Sequence, residues 1–195
     1  MGMKGVIFDL DGVVVDLRLD FAAIKQEMFG STEGYILERL DSLHGEERRR
    51  AEAILQKYED EAAHRAQPVE GIFPLFAWLQ ERGLKRALVT RNSRRSVEVI
   101  EARLGLCFPV VVTREDAPPK PSPQPILLAC RRMGIQPEEA LVVGDGELDL
   151  LAGRRAGVTT VLLGNLPHPS SEYADFVISG LSEIPALIMK DHRGH

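Results

Sequence analysis

Cysteine, clustered histidine, long apolar runs and surplus positive charge are all scarce in this chain, and each shortage removes a class of function. Its 195 residues include two cysteines, Cys107 and Cys130, far apart and in no Cys-x-x-Cys spacing. They read as buried or free thiols in a reducing compartment. The histidines, His44, His64, His168, His192 and His195, stand at no ligand spacing and fit surface or loop roles. Only His168, in "GNLPHPS", follows a strand closely enough to approach a site. Lysine and arginine total 24 against 29 acidic residues, a formal charge of -5, which argues against a nucleic-acid partner because a phosphate backbone needs a basic face. The one basic run, Arg48 to Arg50, fans around a helix beside Glu46, Glu47 and Glu52 and reads as a solvated face. No stretch approaches the ~18 apolar residues of a membrane span. Lys4, Asp9 and Asp11 interrupt the first apolar stretch, unlike a signal peptide. A cytoplasmic protein with no membrane partner is the expectation. Internal repeats and low-complexity segments are absent as well.

What is present is ordinary globular composition, 44% hydrophobic and 27% charged, enough for one sizeable core plus an insertion. Short runs rich in Val, Ile and Leu predict strands at Lys4 to Phe8, Arg86 to Thr90, Pro109 to Thr113, Ala140 to Gly144 and Thr160 to Leu163, with a weaker one at Asp175 to Ile178. They are continuously apolar, as strands covered on both faces are. Helical patterns lie between them at Ile72 to Arg82, Ser93 to Leu104, Pro123 to Met133 and Glu147 to Ala156. Such alternation predicts an α/β fold with a mostly parallel sheet sandwiched by helices, and ligands of such sheets sit beyond the carboxyl ends of the strands. Residues 17–67 break the alternation: Asp20 to Phe29, Thr32 to Leu43 and Glu46 to Ala66 read as helices, with Gly30 and Gly45 as breaks. This block enters just after an acidic pair and returns at Pro68-Val69-Glu70-Gly71, so it is expected to be a small helical cap on a core of residues 1–16 and 68–195. Asp191 to His195 reads as a frayed tail.

The acidic pair lies in "FDLDGVVVD", Phe8 to Asp16. Asp9 and Asp11, two apart at a strand end, point to one face, and like charges that near resist joint ionisation unless a cation or a shared proton relieves them. A solvated Asp-Gly turn is the plainer reading, so the rest of the chain must supply partners. "ALVTRNS" ends a strand at Thr90, whose hydroxyl, with the amides of Arg91 and Asn92, suits an oxyanion. Taken alone, Thr90 and Asn92 read as caps of the helix near Ser93. "APPKPSPQP" sets Lys120 among Pro118, Pro119, Pro121, Pro123 and Pro125, either a stiff frame fixing one cation or a proline-rich turn with a solvated lysine. "LVVGDGELDLL" places Asp145 just past a strand and Asp149 one helical turn on, as site acids or as a cap and an exposed carboxylate. Taken together these signals build an oxygen-rich cation site beside anion donors. Mg²⁺ fits it, with no His or Cys cluster to favour zinc, and the anion held against such a metal is most simply a phosphate.

The chain resembles the haloacid dehalogenase superfamily over nearly its whole length, in the phosphatase branch with a helical cap, and is similar to phosphoglycolate phosphatase and β-phosphoglucomutase. Asp9-Leu10-Asp11-Gly12-Val13 matches the first motif of that family, Thr90 the second, Lys120-Pro121 the third and Gly144-Asp145 through Asp149 the fourth. The resemblance implies a Rossmann-like core, with Gly12 to Asp16 as the loop and flap leading into the cap. It implies Asp9 as nucleophile on phosphorus and Asp11 as general acid and base. Thr90 and Lys120 would neutralise the phosphoryl oxygens, with Asp149 orienting Lys120 or a metal-bound water from behind. Mg²⁺ would be held by Asp9, the Asp11 backbone carbonyl and Asp145. The implied partner is a small phosphorylated metabolite, phosphoglycolate among the candidates.

The chain departs from the family pattern in three places. Arg91 intervenes before Asn92, so both are candidate phosphate contacts, Arg91 with a solvent-facing alternative. Gly146 stands where Ser or Thr is frequent, and the cap is short. Arg18, Lys25, Tyr35 and Arg39 of the cap either read the organic part of a substrate or lie in solvated faces and cap core. A 2-haloacid dehalogenase would have no use for Asp11. A phosphosugar mutase needs the same catalytic set as a phosphatase. A phosphate-responsive regulatory module fits less well with the helical cap and with Asp11 after Asp9, and a scaffold that has lost activity fits less well with every catalytic position filled.

Overall fold

The computed structural model describes residues 2–191. The apolar runs form β1 (Gly5–Phe8), β4 (Lys85–Val89), β5 (Val110–Val112), β6 (Ala140–Gly144), β7 (Thr159–Leu163) and β8 (Phe176–Ile178). They pair in parallel throughout, in the order β5-β4-β1-β6-β7-β8. This is the Rossmann-like α/β sheet expected from the sequence. The order places β1 at the centre, where chain excursions to either side begin, and ligands of open α/β sheets collect at such a switch point.

β1, β4 and β6 are in step: Phe8 lies level with Leu88 and Val143. The same register therefore puts Asp9, Val89 and Gly144 side by side at the carboxyl edge, and the Asp9 amide donates to the Val143 carbonyl at 3.0 Å. At the opposite edge the Lys4 ammonium meets Glu139 at 2.5 Å and the Lys4 amide donates to the Glu139 carbonyl, which ties together the feet of β1 and β6.

Both faces of the sheet are buried, which is why the strands carry no polar alternation. On one face α6 (Gln124–Met133) and α7 (Glu147–Ala156) pack Ile126, Ala129, Cys130 and Ala152 against Ile7, Val89, Val112 and Val142. On the other, α4 (Ile72–Glu81) brings Phe76 edge-on to Phe8 and Phe108, with ring centroids 5.0–6.2 Å apart. α8 (Ile184–Asp191) packs beside α4. Asp191, the first residue of the expected tail, closes that helix; residues 192–195, with His192 and His195, lie outside the described residues. Among the described residues no helix is long and apolar enough to cross a membrane.

The chain divides into two compact units. One comprises residues 1–16, 67–91 and 107–195; the other comprises residues 17–66 and 92–106. The first carries the sheet and a short antiparallel pair, β2 (Val15–Asp16) with β3 (Gln67–Pro68), where the insertion leaves and returns. These two-residue strands carry too little pattern to be read from sequence.

The second unit holds α1 (Phe21–Phe29), α2 (Ile36–Asp41), α3 (Gly45–Arg65) and α5 (Arg94–Leu104). Asp20 caps α1 by accepting from the Ala23 amide, and Gly30 ends it at φ 67°. α2 is half the length that the sequence predicts, because the segment before it forms a turn. Gly34 adopts φ 68°, Arg39 donates to the carbonyls of Ser31 and Glu33, and Lys25 donates to that of Gly34. Lys25 and Arg39 thus pin this turn, while Tyr35 and Arg18 are exposed. α5 joins α3 through Arg103, which donates to the carbonyls of Ala63 and Ala66, and through the Arg95–Asp60 ion pair at 2.9 Å.

Candidate functional site

The edge where β1, β4 and β6 end collects the acids. After Phe8 the chain turns at once: the Gly12 amide donates to the Val15 carbonyl at 2.8 Å and the amides of Val14 and Val15 both reach Leu10. Gly12 takes φ 74°, and a Cβ there would collide with the Asp145 carboxylate. Glycine is required on two counts, backbone sign and close approach. Gly144 meets the second requirement alone, since a Cβ would run into the side chain of Asp149.

Lys120 sits at the centre. It is 3% exposed, and its ammonium donates to Asp9 at 2.5 Å, to Asp149 at 2.5 Å and to the Val89 carbonyl at 2.9 Å. Three donors meet three acceptors, the full capacity of a lysine. The expected alternative of a solvated lysine in a proline-rich turn does not occur. Asp149, 5% exposed, lies in the first turn of α7 but faces the lysine rather than solvent. Asp145 is not the cap of α7; Gly146 occupies that position. On α5 the cap is Ser93, whose hydroxyl accepts from the Ser96 amide, and neither Thr90 nor Asn92 holds that position.

The other predicted residues fall as follows. Thr90, 5% exposed, follows Val89 directly, and its amide donates to the Val112 carbonyl. Asp9, Asp145 and Asp149 each present an oxygen within 4.8 Å of the others. The Asp11 carboxylate is close enough to raise the pKa of Asp145. The Arg91 guanidinium donates to the backbone carbonyl of Lys120. Asn92 opens the later of the two segments that make up the second unit. Neither the Arg91 contact nor the bond from Arg155 to the Pro121 carbonyl at 2.9 Å can be read from the sequence, since both depend on which distant segments meet.

The electrostatics follow from crowding. Burial pushes the Asp9 carboxyl up to about 7; Lys120 opposes this, and Asp149 and then Asp145 add to it. Asp145 is exposed as a residue, yet loss of solvent around its carboxyl comes first in raising it to about 6, followed by the charges of Asp149 and Asp11. For Lys120 burial is the largest influence and acts downward, but Asp149 and Asp9 outweigh it and the ammonium is held above its ordinary value. One lysine among this many carboxylates leaves surplus negative charge, the condition that a hard cation relieves. The donor set is all oxygen, with no histidine or cysteine in the cluster, so it fits Mg²⁺ or a similar ion and not a thiolate-bound metal.

A buried lysine locked between carboxylates at the switch point of a parallel sheet defines an α/β protein with an acidic, cation-accepting site. A family model described as haloacid dehalogenase-like hydrolase matches residues 25–163. The chain is 32% identical to a haloacid dehalogenase-like hydrolase domain-containing protein of Arabidopsis thaliana, over 92% of this chain and 77% of that one. It is 33% identical to an N-acetylmuramic acid 6-phosphate phosphatase of Pseudomonas aeruginosa, over 82% and 81%. The crystal structure of a hydrolase from Pseudomonas syringae superposes with a TM-score of 0.80 at 26% identity, covering 95% of this chain and 98% of that one. The chain belongs to the haloacid dehalogenase-like hydrolases, and it is an enzyme of that superfamily.

Proposed function

We propose that this hydrolase is a Mg²⁺-dependent phosphatase of small phosphate monoesters, working through an aspartyl-phosphate on Asp9. The observation that carries the reading is Lys120, buried and bonded to both Asp9 and Asp149 with Asp145 alongside. An ammonium so held cannot swing away, and it supports charge on a phosphoryl group without reorganising. The carboxylates of Asp9 and Asp145, with the backbone carbonyl of Asp11, would hold the cation, while Asp149 is committed to Lys120. When bound, the cation neutralises the acids and withdraws charge from the phosphoryl oxygens.

In the first half-reaction a carboxylate oxygen of Asp9 forms a bond to phosphorus as the ester P–O bond breaks, and Asp11 gives a proton to the departing oxygen. In the second, Asp11 takes a proton from water, the water oxygen bonds to phosphorus, and the bond to Asp9 breaks, restoring the carboxylate. Two displacements replace one harder displacement. Thr90, placed one residue beyond the Val89 carbonyl that Lys120 binds, and the amides that follow it are the donors for the remaining phosphoryl oxygens, with Asn92 a further candidate.

For the substrate we favour a small phosphorylated acid. Phosphoglycolate, which the family resemblance suggests, and N-acetylmuramic acid 6-phosphate, named for the Pseudomonas aeruginosa relative, both carry a carboxylate besides the ester. Phosphate release should be measured on these two compounds, on sugar phosphates, nucleotides and p-nitrophenyl phosphate, with MgCl₂ or with EDTA. Release that requires Mg²⁺ and favours the phosphorylated acids supports the reading. No release from any compound contradicts it and directs the next assay to sugar-phosphate isomer exchange.

A further inference from the structure

We propose that Arg91 is a positioning residue, which fixes the backbone from which Lys120 reaches the site; this rests on the phosphatase reading. The tip of Lys120 is held by its three acceptors, but a long side chain aims well only if its root is fixed too. The root lies in Pro118-Pro119-Lys120-Pro121-Ser122-Pro123, where proline removes most of the amide donors that would let the segment bond to itself. One local bond is made there, from the Ser122 amide to the Pro119 carbonyl at 3.0 Å. The carbonyls of Lys120 and Pro121 are satisfied from outside, by guanidinium groups. Arg91 donates to the first and Arg155, from α7, to the second at 2.9 Å.

Arg91 is itself held. Its carbonyl accepts from the Arg114 guanidinium at 3.3 Å, and Arg114 belongs to the loop after β5, which is fixed in turn. The Thr113 amide and hydroxyl donate to Asp116 at 2.8 and 2.9 Å, and Asp116 pairs with Arg132 at 3.0 Å. A relay of bonds therefore runs from the ends of β4 and β5 through Arg91 to the catalytic lysine. Donors with charge make the stronger bonds, and Arg91 is partly buried whereas Arg155 is exposed, so Arg91 carries the larger share.

The test compares wild type with Arg91→Ala, Arg91→Lys and Arg155→Ala in two readouts. With p-nitrophenyl phosphate and MgCl₂, Arg91→Ala is expected to lower kcat by roughly 10- to 100-fold, the scale of a small misplacement of a catalytic group, with KM changed less than about 3-fold. Arg91→Lys, which keeps a donor but loses the fork, should restore part of the loss, and Arg155→Ala should lose less than Arg91→Ala. The second readout is the ¹³Cε–¹Hε spectrum of lysine-labelled protein, with the Lys120 signal assigned by Lys120→Met. That signal should shift and broaden in Arg91→Ala and stay in place in wild type. If it is unmoved in both Arg91 variants, the proposal is overturned, whatever happens to turnover. A raised KM at unchanged kcat overturns it too, making Arg91 a direct substrate contact. A wild type that releases no phosphate defeats the phosphatase reading separately, and the spectrum then still decides whether Arg91 positions Lys120.

Discussion

The Lys120 ammonium lies 2.5 Å from Asp9 and 2.5 Å from Asp149, so one buried cation ties the end of β1 to the first turn of α7. Removing it leaves two carboxylates facing each other with little solvent. Lys120→Met should destabilise the metal-free protein by about 3–5 kcal/mol, the range for breaking a buried pair from one side. Urea unfolding in EDTA measures this, and an unchanged midpoint would show that the triad is not part of what holds the edge together.

Asp11 and Asp145 should separate chemistry from cation binding. Asp11→Asn leaves the backbone carbonyl in place and should cut turnover by about 10²–10⁴-fold, the value of general acid–base catalysis, while a calorimetric Mg²⁺ titration changes little. Asp145→Asn should weaken the titration first and turnover as a result. Equal losses of Mg²⁺ affinity in the two variants would contradict the assignment of Asp11 to proton transfer.

Gly144 has no side chain because Asp149 occupies the place of one. Gly144→Ala should push Asp149 away from Lys120 and cost about 1–3 kcal/mol, as overpacking does, with turnover falling alongside. Gly157→Ala is the control: its left-handed φ of 79° carries backbone strain, but no atom lies within 4 Å of the added Cβ. It should lose stability without the same loss of turnover. A Gly144→Ala protein with wild-type turnover would mean that Asp149 does not orient the lysine.

The opposite edge of the sheet should respond to pH. The Glu139 carboxyl is held below its ordinary value, first by the bond from the Lys4 side chain and then by the Gln136 amide. A carboxyl whose pKa falls on folding contributes stability above its unfolded value, ordinarily 4.5, and loses it as pH falls through the folded value. Glu139→Gln should therefore lower the thermal midpoint at pH 7, and the gap should narrow below about pH 4.5. A gap that is constant with pH would show that the charge of Glu139 does not help to join β1 and β6.

The frame of the candidate site was legible in the sequence because each of its acids and its lysine sits beside a local signal, modest alone, that coincides with the others at the carboxyl ends of strands. Asp9 and Asp145 follow saturated apolar strands, Asp149 is one turn into a helix, and Lys120 is bracketed by prolines. The boundaries of β6 and α7 read from the sequence coincide with those observed. What escaped it depends on contacts between distant segments. Arg91 reads as solvent-facing, with phosphate binding as the other reading, until the Lys120 carbonyl is placed beside it. The amphipathic pattern of α5 shows that one face is buried but not that α3 is its partner. The turn before α2 shortens that helix through Lys25 and Arg39, residues that look like free charges in a linear reading.

The central claim is that Asp9 becomes covalently phosphorylated. Sodium borohydride reduces an acyl phosphate to an alcohol, so protein quenched with it during steady-state turnover of p-nitrophenyl phosphate, then digested and analysed by peptide mass spectrometry, should carry homoserine in place of Asp9. Asp9→Asn should show neither reduction nor phosphate release while remaining folded by circular dichroism. Continuing phosphate release with Asp9 unreduced, or an active Asp9→Asn protein, would contradict the account.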